Sequence, residues 1–334
     1  MCDNRDVPAD YTIIQAAQKY LDQVRLARST NTARTYQNGI ASFLEVLADN
    51  HLPPQETSVS LMTEDTVGWL SAALKTHAPT TERLYLTVVS NFFEYLVAEK
   101  LVDLNLPRMR LLIRQRARRP SQRLPQFPAS DIESVIASIQ TLSNHQGQDA
   151  TEHLRILRDR AFLLTLADTG LRVHEACNLR RGDIDWNEGR ALVVGKGDRE
   201  AVVRFSQRSL DALKTYLLAR AQLDGTSGRP MSSLALFARH DKGAGKKVKP
   251  ITTATGRNIV ALRVKEALGE AAVGSITPHS FRHYFVTRVL QASGNLKLAQ
   301  ELARHKNIAV TQRYAHLSND ELDQGYWQVF EDQA

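Results

Sequence analysis

A short arginine-rich segment divides this chain into two parts of different character. Residues 106–123 contain seven arginines and no acidic residue, and they include Pro107 and Pro120. The residues before the segment carry a net charge of −5, and the residues after it carry +5. Prolines and a run of like charges favour an extended connection. The sequence therefore predicts two domains, 10–105 and 125–334, joined by an interdomain linker over 106–124.

Composition narrows the class of protein. Of the 334 residues, 43% are hydrophobic, and the two cysteines, Cys2 and Cys177, are too few for a disulfide scaffold. No apolar run approaches the length of a membrane span, so we expect no membrane partner. These features predict a cytoplasmic protein. The net charge of +7 favours a polyanionic partner such as nucleic acid, although a basic surface also serves solubility alone.

The first region has helical periodicity throughout. Its aromatic residues are interpreted as core, and Ser29 or Asn31 is a candidate cap for the second helix. Four helices are predicted, with inward faces that carry Ile13, Ala16, Ala17 and Tyr20; Tyr36, Ile40, Phe43 and Leu47; Trp69 and Leu70; and Leu84, Val88, Phe92, Tyr95 and Leu96.

The second region mixes helices with one β element. Helices are predicted from Pro128, over 155–168, after the turn at Thr169–Leu171, over 208–222 and 256–268, and from Pro278. Two β-prone runs, 191–194 and 200–205, flank Gly195-Lys196-Gly197-Asp198 and predict a hairpin. The expected class is mainly α, with an all-helical N-terminal domain and a mixed, mostly α C-terminal domain.

Four segments of the second region carry side chains suited to phosphodiester chemistry. Arginine forks bind phosphoryl oxygens, a lysine on a hairpin tip reaches a leaving oxygen, and tyrosine serves as a covalent nucleophile. We find no carboxylate cluster for Mg²⁺ and no nucleotide-binding glycine loop, so we expect no metal and no cofactor. The residues are Arg172 with Glu175 in TGLRVHEACNL, Lys196 in VVGKGDRE, His279 and Arg282 in TPHSFRHYF, and His305 with Tyr314 in LARHKNIAVTQRYAHL.

The order Arg, Lys, His-x-x-Arg, His, Tyr resembles the tyrosine recombinase (phage integrase) family. The segments TGLRVHEACNLRRGDID and PHSFRH carry the likeness, and STNTARTYQNGIASFLEVL resembles the family's SAM-like core-binding domain. The chain looks most like the compact two-domain recombinases of the Xer and Cre kind. One departure is Arg304, which stands where many relatives have glycine. Another is the loop 223–250, which is longer than usual.

The resemblance implies DNA strand exchange through a 3′-phosphotyrosyl intermediate, without metal or ATP. Tyr314 would attack the phosphate, and Lys196 would protonate the leaving oxygen. Arg172 and Arg282 would hold the non-bridging oxygens, and His305 would hydrogen-bond the phosphate. His279 would assist proton movement at the nucleophile, and Glu175 would support the site.

The candidate DNA contacts are basic residues outside this set. The linker residues Arg114, Arg116, Arg118 and Arg119 suit phosphate binding, with a solvated charge run as the alternative. The resemblance places Arg257 at the major groove, where it would read a guanine edge or bind a phosphate. Lys246 and Lys247 either grip phosphates or are solvated.

The resemblance also implies an assembly on DNA. The expected partner is double-stranded DNA with a specific target site, bound by a dimer and paired as a tetramer in synapsis, with the protein associated with the nucleoid. Ser318 and Glu321 form a capping box before an apolar helix face, so a tail helix is predicted over 318–334. It would dock on its own domain or on a neighbouring subunit.

Two other functions remain as alternatives. A type IB topoisomerase shares this chemistry and relaxes DNA without a partner strand. A DNA-binding regulator that has lost catalysis would keep the fold, but every expected catalytic position is filled here.

Overall fold

The chain folds into two units, Met1–Arg123 and Leu124–Ala334, each with its own apolar core. The computed structural model describes residues 11–118, 128–142, 149–194, 200–241, 243–244 and 247–312. The predicted class is confirmed, since the described residues are mostly helical and contain one small antiparallel sheet. No helix in these ranges is long and apolar enough to cross a bilayer.

Five α-helices form most of the described part of the N-terminal unit. Thr12 and Gln15 form a capping box at the first helix, and the Ser29 side chain accepts a hydrogen bond from the backbone N–H of Thr32 at the start of the second. The predicted inward faces are confirmed except at Leu84, which is 45% exposed. The helices are α1 Ile13–Ala27, α2 Thr30–Asp49, α3 Thr66–Ala73, α4 Pro79–Ala98 and α5 Leu106–Arg116.

Helix α5 corrects the linker predicted over 106–124. The Asn105 side chain caps the helix by accepting a hydrogen bond from the backbone N–H of Arg108 at 2.9 Å, and Pro107 lies in the first turn, where its missing N–H costs nothing. Met109 is fully buried and Ile113 packs beside it, four residues on. The apolar stripe between the arginines therefore folds this stretch onto the N-terminal unit, which extends to Arg123.

A buried carboxylate fixes the end of α5. Glu82 in α4 has no exposed surface and accepts hydrogen bonds from Lys75 Nζ at 2.7 Å and from the backbone N–H of Arg118 at 3.1 Å. The guanidinium of Arg118 also binds Glu82 and the carbonyls of Leu74 and His77. Burial alone would raise the pKa of Glu82, but these donors outweigh it and hold the pKa at about 2.

The C-terminal unit packs its helices around a second core. The predicted helix starts at Pro128 and Pro278 are confirmed, because the corresponding helices begin at Ala129 and Pro278. Phe162 and Phe237 meet edge to face at 5.1 Å in the core. The helices are α6 Ala129–Thr141, α7 Ala150–Thr169, α8 Val173–Asn178, α9 Gln207–Ala219, α10 Ala221–Gly225, α11 Thr253–Leu268, α12 Pro278–Ser293, α13 Leu296–Ala303 and α14 Ile308–Gln312.

The predicted hairpin is confirmed as two strands of a three-stranded antiparallel sheet. Strand β1 is Ile184–Asp185, β2 is Arg190–Val194 and β3 is Glu200–Arg204, in the order β1-β2-β3. Val194 pairs with Glu200 at the end that leads into residues 195–199. The turn 195–199 between β2 and β3 lies outside the described residues.

Buried arginines tie the long segment after α9 to the core. Arg220 has no exposed surface and donates to the carbonyls of Ala235 at 2.8 Å and Leu236 at 3.0 Å. Asp159 accepts from Arg158 and Arg263 at 2.6 and 2.7 Å. Part of the predicted loop 223–250 is therefore core, since Leu234, Leu236, Phe237 and Ala238 are fully buried.

We predict that Glu82→Gln lowers the free energy of unfolding of the N-terminal unit by about 1–3 kcal/mol at pH 7, because it leaves two cations without their counterion. The native pKa of about 2 lies below the ordinary 4.5. The carboxylate therefore stabilises the fold fully above pH 4.5, and that contribution disappears as the pH falls towards 2. The Gln variant should lack this part of the pH dependence. Urea unfolding of the full chain, followed by hydrogen exchange of the α4 amides, measures both effects.

The matched control is Glu94→Gln, which removes an exposed pair with Arg110 and should change stability by less than about 0.5 kcal/mol. Equal effects of the two substitutions would contradict the role given to Glu82.

Candidate active site

The turn after α7 begins the site. Gly170 has φ +61°, and a Cβ there would lie 2.5 Å from the Phe285 ring, so this position requires glycine. Arg172 follows as the N-cap of α8. Its backbone N–H and its Nη1 donate to the two oxygens of Glu175, both at 2.9 Å. The Arg172 side chain stays 44% exposed while Glu175 is buried, so the carboxylate orients a guanidinium that solvent still reaches.

Arg282 joins three segments. It lies in α12 and is 4% exposed. One terminal nitrogen donates to the Gly170 carbonyl, at the end of α7, and the other donates to the Ala303 carbonyl, at the end of α13. A buried guanidinium needs such acceptors, so these hydrogen bonds bring the three chain segments together.

Two histidine rings are in contact on the same face of α12. His279 and His283 lie four residues apart, with ring centroids 4.3 Å apart in an edge-to-face arrangement. Burial, Arg282 and Arg172 lower the pKa of His279, and burial with His279 and Arg282 lowers the pKa of His283 to about 4. The sequence reasoning missed His283, although the four-residue spacing from His279 was a usable signal.

His305 follows α13 and is held from both sides. Its Nδ1 lies 2.9 Å from the hydroxyl of Thr311, which is fully buried. Its backbone N–H and carbonyl both bond to Gln300, at 3.0 Å each. Burial, followed by the charges of Arg282 and Arg172, lowers the pKa of His305 to about 4. The ring is therefore neutral near pH 7.

Arg304 occupies the left-handed region at the end of α13, with φ +58°. Its Nη2 lies 3.0 Å from Oε2 of Glu175. Burial would raise the pKa of Glu175, but Arg304 and Arg172 outweigh it and keep the pKa below its ordinary value. The sequence identified Arg304 as a departure from the family but indicated no partner for it.

A carboxylate anchors the start of α9 beside this site. Asp168 in α7 accepts from Ser206 Oγ at 2.5 Å and from Arg208 Nε at 2.6 Å. Because Ser206 follows β3 and caps α9, Asp168 fixes the base of the hairpin against the end of α7. No sequence pattern had marked Asp168 or its partners.

The structure thus brings together Arg172, Glu175, His279, Arg282 and His305. Within the described residues, no group of three His, Cys, Asp or Glu side chains is placed to hold a metal ion. Two of the predicted catalytic residues, Lys196 and Tyr314, lie outside the described ranges, as do Arg119, Lys246 and the tail 318–334. The chain enters 195–199 from β2, and α14 ends at Gln312, two residues before Tyr314.

The remaining candidate DNA contacts differ in their surroundings. Arg257 in α11 and Lys247 are exposed. Arg118 is occupied by Glu82 and backbone carbonyls, so we leave it out of the proposed DNA contact. Arg116 lies against the backbone of Gly68, where a Cβ would be 1.8 Å from its Nη1. Arg114 faces a groove.

This groove runs between α4 and α5 and has a volume of about 450 Å³. It combines arginines from both helices with hydroxyl and amide side chains. Such donors suit phosphate oxygens. The polar residues that line it are Arg83, Thr87, Ser90, Asn91, Arg110, Arg114 and Arg118.

Comparison with known proteins gives a consistent result over both units. The phage integrase family matches residues 139–321, and the family described as phage integrase, N-terminal SAM-like domain matches residues 17–100. The chain is 28% identical to the tyrosine recombinase XerC of Myxococcus xanthus, over 78% of this chain and 79% of that one. It is 30% identical to the XerC of Bacillus pumilus (strain SAFR-032), over 72% of each chain.

A solved structure shares the fold. The XerH site-specific recombinase bound to its difH substrate, in a pre-cleavage complex, aligns with a TM-score of 0.66 at 19% identity. The alignment covers 95% of this chain and 84% of that one.

We predict that His283 and His305 remain neutral in the DNA-free protein until the pH falls to about 4. Because the unfolded chain binds these protons near the ordinary pKa of 6.5, the fold loses stability as the pH falls from 6.5 towards 4. Imidazole NMR signals, assigned with His283→Gln and His305→Gln, report each titration. An inflection near pH 6.5 for either ring would contradict the burial described here.

Proposed function

The chain belongs to the phage integrase family, and on that basis we propose that it is a site-specific recombinase that cuts and rejoins double-stranded DNA. The observation that carries the proposal is the meeting of Arg172, Arg282 and His305 around the ends of α7 and α13. Two guanidiniums and neutral imidazoles form a cationic site with hydrogen-bonding groups, which matches a phosphodiester whose charge rearranges during reaction.

In the proposed first step, the Tyr314 oxygen forms a bond to phosphorus and the bond from phosphorus to the 5′ oxygen breaks. Lys196 gives a proton to the leaving oxygen, and His279 helps to remove the tyrosine proton. Arg172 and Arg282 bind the non-bridging oxygens, while His305 hydrogen-bonds the phosphate. The 5′-hydroxyl of a second DNA then attacks the phosphotyrosine and releases Tyr314. No metal or nucleotide enters this scheme, because the covalent bond conserves the phosphodiester's energy.

The relatives support a DNA partner with a defined target. The curated relatives are named tyrosine recombinases, and the XerH structure holds a named substrate DNA. We propose a dimer on each target site and a tetramer in synapsis, with the tail 318–334 docking on a neighbouring subunit. Sedimentation on DNA with one or two sites counts the copies directly. A single copy on each DNA would contradict this assembly.

The first test concerns the nucleophile. We predict that Tyr314→Phe keeps its affinity for the target site and forms no covalent adduct on a nicked substrate, because the attacking hydroxyl is gone. The control is Tyr326→Phe, which should form the adduct at the wild-type rate. Denaturing gels of labelled DNA measure both. An adduct on the Tyr314 variant would indicate another nucleophile. Relaxation of random DNA by a monomer would favour the topoisomerase alternative.

The second test concerns Lys196 as the general acid in DNA cleavage. Its alanine variant should cleave ordinary DNA about 10²–10⁴-fold more slowly. It should recover when the bridging 5′ oxygen is sulfur, because a thiolate leaves without a proton. Equal defects on both substrates would contradict the general-acid role.

We further propose that the groove between α4 and α5 binds the DNA backbone. Arg83, Arg110 and Arg114 supply charge, and neutral donors from α4 lie between them. Of the predicted phosphate contacts, Arg114 and Arg116 belong to α5, whereas Arg118 binds the buried Glu82.

Replacing Arg83, Arg110 and Arg114 with Gln should weaken binding to target and random DNA alike. The slope of log K against log salt should become shallower by up to about 0.9 for each phosphate that an arginine no longer neutralises. The control is Arg25→Gln, since Arg25 pairs with Asp22 on the surface of α1 and should leave the slope unchanged. An unchanged slope in the triple variant would place these arginines in solvent.

A further inference from the structure

Arg304 stands at a backbone position that disfavours it. Helix α13 ends there in the left-handed conformation, with φ +58°, which glycine adopts freely and other residues adopt at a cost. His51 and Lys100 share this conformation among the described non-glycine residues. A side chain retained at such a position calls for a compensating interaction.

That interaction is an ion pair sheltered from solvent. The Arg304 and Glu175 side chains are 13% and 2% exposed, and Nη2 lies 3.0 Å from Oε2. The same Oε2 accepts the backbone N–H of Arg172, and Oε1 accepts its guanidinium. Arg304 and Arg172 therefore share one carboxylate.

The pair compensates only part of the burial of the Arg304 cation. Burial lowers the pKa of Arg304, with a further contribution from Arg172, and Glu175 offsets only part of this effect. Its Nε is buried without a hydrogen-bond partner in the described structure. Buried ion pairs are weak evidence for stability, and their better-attested use is to fix one arrangement among several.

Residues 303–305, at the end of α13, all take part in the site. The Ala303 carbonyl accepts from Arg282, Arg304 holds Glu175, and His305 is itself a proposed catalytic residue. The turn after α13 is thus fastened to α12 by its backbone. The Arg304 side chain binds Glu175 of α8 at 3.0 Å and reaches the Gly170 carbonyl, at the end of α7, at 3.5 Å. Without Arg304, only the connection to α12 remains.

We propose that Arg304 is a positioning residue that clamps Glu175 and thereby fixes Arg172 relative to His305. This inference rests on the catalytic roles proposed above for Arg172 and His305. It assigns to Arg304 an action through Glu175, with no contact to DNA of its own.

The test is a double-mutant cycle on cleavage. Arg304→Gly relieves the backbone and removes the clamp, so it should retain target affinity within about twofold while single-turnover cleavage falls about 10–100-fold, the size expected from misplaced groups. Arg304→Asn, which tolerates the left-handed region, provides a second variant without the cation and should show the same reduction. Arg304→Lys should recover part of the rate, because it keeps the charge but not the fork.

The cycle is completed with Glu175→Gln. If Arg304 acts through Glu175, adding Arg304→Gly to Glu175→Gln should slow cleavage by less than about threefold more. The matched control is Lys297→Ala, which removes an exposed ion pair with Glu301 on α13 and should cleave at the wild-type rate. Wild-type cleavage rates in both the Gly and Asn variants would overturn the proposal. So would a double variant whose rate falls by the product of the two single reductions.

Failure of the inference differs from failure of the proposed function. A wild-type protein that forms no Tyr314 adduct would refute the function. A wild-type adduct with no effect of the Arg304 substitutions would refute only the clamp.

Discussion

One buried guanidinium determines the arrangement of the C-terminal site. Arg282 is almost fully buried, and a desolvated cation needs acceptors at fixed directions. The carbonyls of Gly170 and Ala303 supply them, so the ends of α7 and α13 must meet α12. Arg172 and His305 each follow one of these carbonyls by two residues. Arg172 and His305 therefore lie close together because Arg282 needs both carbonyls as hydrogen-bond acceptors.

Local rules made much of this structure predictable. Proline and small polar residues mark the helix starts, and two β-prone runs around a glycine turn predicted strands β2 and β3. The spacing of His279 and Arg282 predicted one helix, and both lie in α12. The ordered set of basic residues was enough to indicate the family, and the family matches confirm that resemblance.

Pairings between distant residues were not predictable in the same way. The seven arginines of residues 106–123, four of them in α5, concealed the apolar face of that helix. Charge dominates the composition of this stretch, while Met109 and Ile113 determine its packing. The partner of Arg304 lies 129 residues earlier in the chain. Such a pair depends on how α8 and α13 pack, which no local pattern records. Arg118 illustrates the same point, since its acceptors come from α4 and the turns before it.

The ion pairs of α5 also bear on the kinetics of target search. Arg108 and Arg110 of α5, and Arg118 just beyond its end, each lie against an acid of their own unit. Beyond a Debye length of about 8 Å, such pairs nearly cancel, so DNA at long range meets a weaker field than the arginine count suggests. With the DNA contact proposed above, α5 would contribute more to the residence time of the protein on DNA than to the speed of the first encounter. In that case, the rate of dissociation from DNA would depend on salt more steeply than the rate of association.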